Sequence, residues 1–317
     1  MADIRQLPLF PAQPGSTADL NPYSMLRDTI ALFQQYLIHE GKSEHTIKAF
    51  TSDLQLLAEY TSERTQIGRY TTELLNKFLR WLEHERGVPC SRKSYARRVT
   101  TLKVYFKWLT EFGVLPSDPA KPVLQRSGPA PLSVILSPDE IERAVLYAGT
   151  MQRTVKGVHE RDTRPEMLFR LILDTGIKKN ETMELTPSSI DRLNPKHPLL
   201  VIKHKKIRDI YKERKIRLDP SWVALLDEYM AQYQPRAGII NCTARNLEYI
   251  LEDIGRGADI PSKISFEMLR WTCAVRDYAA GVEPELIREK LGLSPISWHE
   301  TFAKTKKLAE LWIAESD

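Results

Sequence analysis

Cysteine is scarce in this chain. Cys90, Cys242 and Cys273 are its three thiols, and their wide separation fits neither a disulfide framework nor a metal-ligand spacing. They read as buried free thiols in a reducing cytoplasm, with no metal or cofactor expected. No apolar run approaches the roughly eighteen residues of a membrane span, so no membrane partner is expected. The opening MADIRQLPLFPAQPGST has no basic start followed by an apolar stretch, which makes it a poor signal peptide. No internal repeat is evident. Two local absences say more. Acidic residues are missing from Ser91 to Thr110, and tyrosine is missing beyond Tyr278.

The chain has 317 residues and a formal charge of +5. That length predicts two domains with real cores. The charge excess permits nucleic-acid binding without requiring it. Residues 1–22 are rich in Pro, Gly, Ala and Gln, lack periodicity, and read as a disordered tail. From Pro22 the pattern is helical. Leu26, Ile30, Phe33 and Leu37 form one stripe, and Ile47, Phe50, Leu54 and Leu57 a second after a cap at Ser43 or Thr46. A third helix spans about Thr72 to Glu85, and a fourth runs from Ser91 to a stop at Gly113 and Pro116. Together they predict an all-α bundle over residues 23–118. Arg92, Lys93, Arg97, Arg98 and Lys103 occupy the polar side of the fourth helix, where no local acid opposes them. A phosphate-facing helix accounts for that better than a passive surface.

Residues 119–136 carry several prolines and read as a linker. Ser137-Pro138-Asp139-Glu140 has the form of a capping box with Pro at the first helical position, opening a second domain over 137–317. A helix follows over about 164–174. Two strands, 199–203 and 212–218, flank a basic turn. Helices follow at roughly 219–233, 244–255, 265–280, 283–291 and 297–314. On charge alone, Lys203 to Arg217 is a solvated hairpin.

Several segments in this order resemble the tyrosine recombinase (phage integrase) family, Xer-like in kind. HTIKAFTSDLQLLAEY, which contains Lys48, is similar to a Thr-x-x-x-Tyr-x-x-Asp-Leu helix of the family's core-binding domain. LDTGIKKNETMELTPSSID resembles Thr-Gly-Leu-Arg-x-x-Glu-x-x-x-Leu, with Lys178 in the Arg place. LVIKHKK and KERKIRL resemble the strands around a catalytic Lys, leaving Lys203 and Lys205 both as candidates. ISFEMLRWTCAVRDYAAGVEPELIREKLGLSPISWHETF resembles the active-site end. Glu267 stands in a His place, Arg270 is retained, Leu293 replaces the second His and Phe302 falls where the nucleophilic Tyr belongs. The resemblance implies a mainly α protein with an N-terminal SAM-like core-binding bundle and an integrase-type helical domain carrying a small antiparallel sheet. It also implies a double-stranded DNA partner held between two such domains. Lys48, Arg92, Lys93, Arg97, Arg98, Lys103, Lys178, Lys203, Lys205, Lys206, Arg208 and Arg270 are the candidate DNA contacts.

In that family a Tyr oxygen attacks the phosphate, while Arg, Lys and His groups stabilise charge or move protons. A phenyl ring cannot attack, Lys178 lacks the planar fork of Arg, and Glu267 would repel a phosphate or pair with Arg270 three residues on. Tyr278 reads as core. Thr301 and Ser297 carry hydroxyls near Phe302 but have no evident base. The expectation is therefore a cytoplasmic, nucleoid-associated DNA-binding protein without strand cleavage, serving recombination or integration as an architectural, regulatory or accessory factor. The alternative is an active recombinase with a displaced nucleophile. A second alternative comes from the tail, where Gln6, Leu7, Leu9 and Phe10 resemble the Gln-Leu-x-Leu-Phe peptide that docks bacterial proteins on the replication sliding clamp. The terminal segment KTKKLAELWIAE is a candidate contact to an active recombinase or a second copy through Leu308, Leu311 and Trp312; equally, it is a helix that folds back on its own core.

Overall fold

The structure, a computed structural model, describes residues 16–125, 132–204 and 207–314, without the side chains of Ile207 and Arg208. The chain divides into two compact units, one on each side of Pro129.

The first unit is an all-α bundle of α1 (Leu26–His39), α2 (Glu44–Thr61), α3 (Thr72–His84) and α4 (Arg92–Glu111). Ser43, Thr71 and Ser91 cap the last three, each side-chain oxygen accepting the N–H three residues on. The apolar stripes meet in one core, with Phe33, Leu37, Leu54, Leu57, Phe78, Val99 and Phe106 fully buried. Leu20 is already part of this core, so packing begins ahead of the expected boundary at residue 23. Ala120 and Val123 also lie in it, while Leu136 lies in the second core. The expected 119–136 linker thus gives both ends to the cores.

The second unit starts with α5 (Pro138–Thr150), whose capping box forms as the sequence predicts. A hairpin follows, β1 (Gln152–Val155) with β2 (Val158–Arg161), which the sequence reading does not anticipate. Its turn residues Lys156 and Gly157 both have positive φ, 49° and 82°, the pattern of a tight hairpin turn. Then come α6 (Thr163–Thr175), the single-turn α7 (Lys179–Met183) and a three-stranded antiparallel sheet in the order β3 (Ile190–Asp191), β4 (Leu199–Ile202), β5 (Arg214–Arg217). The expected basic turn between β4 and β5 contains a 3-10 segment, Ile207–Lys212. The unit closes with α8 (Pro220–Tyr233), α9 (Ala244–Gly257), α10 (Phe266–Ala279), α11 (Pro284–Leu291) and α12 (Pro295–Ala314).

The buried helix α6 is the spine of this unit: Met167, Leu168, Phe169 and Ile172 are fully inaccessible. Trp222 anchors α8 to it by donating Nε1–H to the Met167 carbonyl at 2.9 Å. α12 folds back within the unit. Leu308 and Ala309 pack with Val275 of α10, and Trp312 Nε1 donates to the Leu136 carbonyl at 3.0 Å. Of the three residues offered for a partner, Leu308 and Trp312 are engaged at home, and Leu311 remains 52 % exposed. Among the described residues no helix is long and apolar enough to cross a membrane.

Candidate functional site

The end of α6 sets the site. Gly176 caps the helix at φ +59°, and a Cβ there would sit 2.6 Å from Leu291 Cδ2. Only glycine allows both this conformation and this approach. The chain reverses and places Glu181 on the first turn of α7, where its carboxylate accepts the Lys178 N–H at 2.8 Å. Arg214, on β5, reaches the same carboxylate with both Nη groups, at 2.9 and 2.8 Å. Both side chains of this pair are about 95 % buried. Gly292, at φ +60°, leaves room for the guanidinium: a Cβ there would meet Arg214 Nη1 at 2.7 Å.

Lys178, Arg214 and Arg270 gather around this carboxylate, with Lys212 close enough to Lys178 to affect its charge. Their donors are directed at the protein itself. Lys178 Nζ donates to the Gly292 carbonyl at 3.1 Å. Arg270 donates to the Gly176 carbonyl and, at 3.3 Å, to that of Leu291. Arg214 also donates to the Lys290 and Lys212 carbonyls at 2.7 and 3.0 Å. Lys212 pairs with Asp209. Burial lowers the Lys178 pKa against the pull of Glu181, and the neighbouring cations lower it further. Burial likewise weighs against the charge on Arg270. Burial would raise Glu181, but the Arg214 fork and the Lys178 N–H overcome it and hold the carboxyl below its ordinary value.

The expected Glu267–Arg270 pair is not what holds Arg270. Glu267 is exposed and accepts from Trp271 Nε1 at 3.4 Å, while Arg270 turns to the two carbonyls. Both residues border a cavity of about 170 Å3, with Ala274, Leu291, Leu293 and Thr301 completing most of its wall. Phe302 is not among the residues that line this cavity. Its ring packs 5.6 Å from that of Tyr278 and 5.4 Å from that of Trp298, in a small apolar cluster with Ile287 and Leu291. Tyr278 is thus half-buried packing, as the sequence suggests. Thr301 lines the cavity beside Arg270, but its hydroxyl donates to the Ser297 carbonyl at 2.8 Å. Ser297 is exposed.

Lys203 is exposed and lines a different cavity of about 430 Å3, which it shares with Glu181, Glu184, His204 and Glu213. Lys205 and Lys206 lie outside the described residues, as do the side chain of Arg208 and the tail residues Gln6, Leu7, Leu9 and Phe10. Sequence reasoning passes over Glu181, Arg214, Lys212 and His204. The acidic position of the quoted Arg-x-x-Glu pattern was the available signal for Glu181. Arg214 gave none, because a strand arginine beside a basic turn looks like one more surface charge. Among the described residues no three His, Cys, Asp or Glu side chains converge as they would around a metal ion.

In the first unit Lys48, Arg92 and Lys93 are exposed, and Arg97, Arg98 and Lys103 are half-buried. The face of α4 is not free of counter-charge, as its local sequence suggests. Asp53 reaches across from α2 and accepts from Arg97 Nη2 at 2.8 Å, with Arg98 Nε at 3.7 Å.

A SAM-like helical unit and an integrase-type helical unit with small antiparallel sheets define the fold class. Residues 30–113 match the model for the phage integrase N-terminal SAM-like domain. The chain is 24% identical over 310 residues to the tyrosine recombinase XerC of Mycobacterium sp. (strain KMS), covering 91% of this chain and 96% of the relative. Its fold is similar to that of a lambda integrase dimer bound to a COC' core site, with a TM-score of 0.68 at 14% identity, covering 88% of this chain and 77% of the other. It is also similar to the XerH recombinase bound to palindromic difH substrate in a post-cleavage complex, with a TM-score of 0.66 at 16% identity and coverage of 93% and 91%. Over nearly its whole length the chain is thus similar to tyrosine recombinases of the Xer kind, and its first unit to the phage integrase SAM-like domain.

Proposed function

We propose that the protein binds duplex DNA in site-specific recombination or integration and does not cut it, acting as an architectural, regulatory or accessory factor. One observation carries the second half: the hydrogen bonds of Arg270 and Lys178 end on backbone carbonyls, and Phe302 is packed into an apolar cluster. Strand transfer of the family's kind needs a phenol as nucleophile and cation donors aimed at the pentavalent phosphate. Each of these side chains has donors already committed to backbone carbonyls, which leaves fewer to aim at a phosphate. DNA binding has no such requirement, because phosphate contacts are spread over many Lys, Arg and backbone groups. The DNA named with the lambda integrase and XerH structures supports this half of the reading.

A displaced nucleophile is the second reading, favoured by Thr301 lining the same cavity as Arg270. An aliphatic alcohol is far less acidic than a phenol, and this one donates to a helix carbonyl. Docking of Gln6, Leu7, Leu9 and Phe10 on the replication sliding clamp is compatible with either reading, and deleting residues 1–12 tests it by clamp pull-down. The cleavage claim is tested with a nicked duplex that traps covalent intermediates. No adduct is expected, while binding of the same duplex weakens steeply with salt. An adduct lost on Thr301→Val defeats the proposal.

A further inference from the structure

Asp53 is an unusual neighbour for a DNA-facing helix. Its side chain is 2 % exposed, deep between α2 and α4. Oδ1 accepts from Arg97 Nη2 at 2.8 Å, and Oδ2 accepts from the Thr101 hydroxyl at 2.8 Å. Arg98 Nε lies 3.7 Å from Oδ1. Two guanidinium groups therefore share one carboxylate, and a positive charge is left over.

The two arginines differ in where that charge goes. Arg98 is 11 % exposed and also donates to Cys90 Sγ at 2.7 Å, so it is spent inside the bundle. Arg97 keeps 40 % of its side chain exposed while one Nη is tied down. Lys93, exposed, stands four residues earlier on the same ridge of α4. Thr101 stands four residues later and fixes the other carboxylate oxygen. A long side chain held before binding loses less rotamer freedom on meeting a phosphate.

We infer that Asp53 is a positioning residue for nucleic-acid binding, holding the Arg97 guanidinium in place on the exposed face of α4 as a phosphate contact. The inference rests on the DNA-binding reading above. It assigns a buried acid a favourable part in binding a polyanion, the opposite of what its charge alone predicts.

The test is a double-mutant cycle on full-length protein, with duplex affinity measured against salt for the unaltered protein, Asp53→Asn, Arg97→Ala and the double variant. Thr101→Val, which releases one carboxylate oxygen without changing charge, takes the place of Asp53→Asn should that variant not fold. Asp53→Asn is expected to weaken binding about three- to tenfold, on the scale of a lost charge-assisted hydrogen bond. Arg97→Ala is expected to weaken binding and reduce the salt slope by about one. In the Arg97→Ala background the Asp53 effect should vanish, which a merely structural role would not produce. Tighter or unchanged binding by Asp53→Asn, or an undiminished loss in the Arg97→Ala background, overturns the inference. Absence of binding by the unaltered protein at low salt defeats the DNA-binding reading itself. Intact binding that ignores Arg97→Ala defeats only this inference.

Discussion

Replacing Glu181 with Gln removes the one carboxylate that Lys178, Arg214 and Arg270 surround. Arg214 is 6 % exposed and bonds that carboxylate through both Nη groups, so its charge has no water to turn to. Removing one partner of a buried ion pair typically costs about 3–5 kcal/mol. Gln can still accept one of the two bonds and the neighbouring carbonyls stay in place, so a loss near the lower end, about 3 kcal/mol, is expected. For a domain of this size that lowers the melting temperature of the second unit by roughly 6–12 °C. The pH dependence has a definite sign. Glu181 is held below its ordinary value in the folded protein. Its contribution is therefore complete above the unfolded carboxyl value of about 4.3 and is lost as pH falls through the lower folded value. The gap between unaltered protein and Glu181→Gln should be widest near neutrality and close on acidification. Thermal melts followed by circular dichroism across that range provide the assay. A variant that melts with the unaltered protein at pH 7, or a gap that widens in acid, refutes the claim that this carboxylate holds the cluster together.

Three further outcomes follow from the same geometry. Phe302→Tyr should supply the phenol yet give no covalent DNA adduct on a nicked duplex, because Lys178 lacks the planar fork of Arg, Glu267 and Leu293 supply no imidazole, and Arg270 has donors committed to the Gly176 and Leu291 carbonyls. Gly176→Ala forces a left-handed alanine against Leu291 and should cost about 2 kcal/mol or more, read by chemical denaturation. Trp312→Ala removes the hydrogen bond to Leu136 and the packing on α10. It should cost about 2–3 kcal/mol, less than a fully buried Trp, and leave the salt dependence of duplex binding unchanged.

Much of the fold was legible because the apolar stripes are long and their caps explicit. Ser43, Ser91 and the Ser137–Glu140 box mark helix starts by local chemistry, and local chemistry is what a sequence displays. The β1–β2 hairpin was not legible from its strands, since nearly every residue in them is exposed and no apolar alternation forms. Its one cue was the Lys156-Gly157 turn. Long-range charge pairing was the larger blind spot. Glu267 and Arg270 are neighbours on one helix, yet carbonyls of Gly176 and Leu291, brought in by the tertiary fold, take the guanidinium. Asp53 and Arg97 are 44 residues apart, so the helix that looked free of acid carries one from another helix. Residue identity pointed to Lys178, Arg270 and Phe302. Only the fold showed that Glu181 and Arg214 stand beside Lys178 and Arg270, while Phe302 packs apart from them in an apolar cluster.

The most direct test of the central claim combines two readings on one sample: electrophoretic binding of a nicked duplex across a salt series, and denaturing mass analysis of the same mixture for a protein–DNA ester. The account predicts a salt-sensitive complex with no covalent mass shift. A covalent adduct that disappears with Thr301→Val or Ser297→Ala would contradict it.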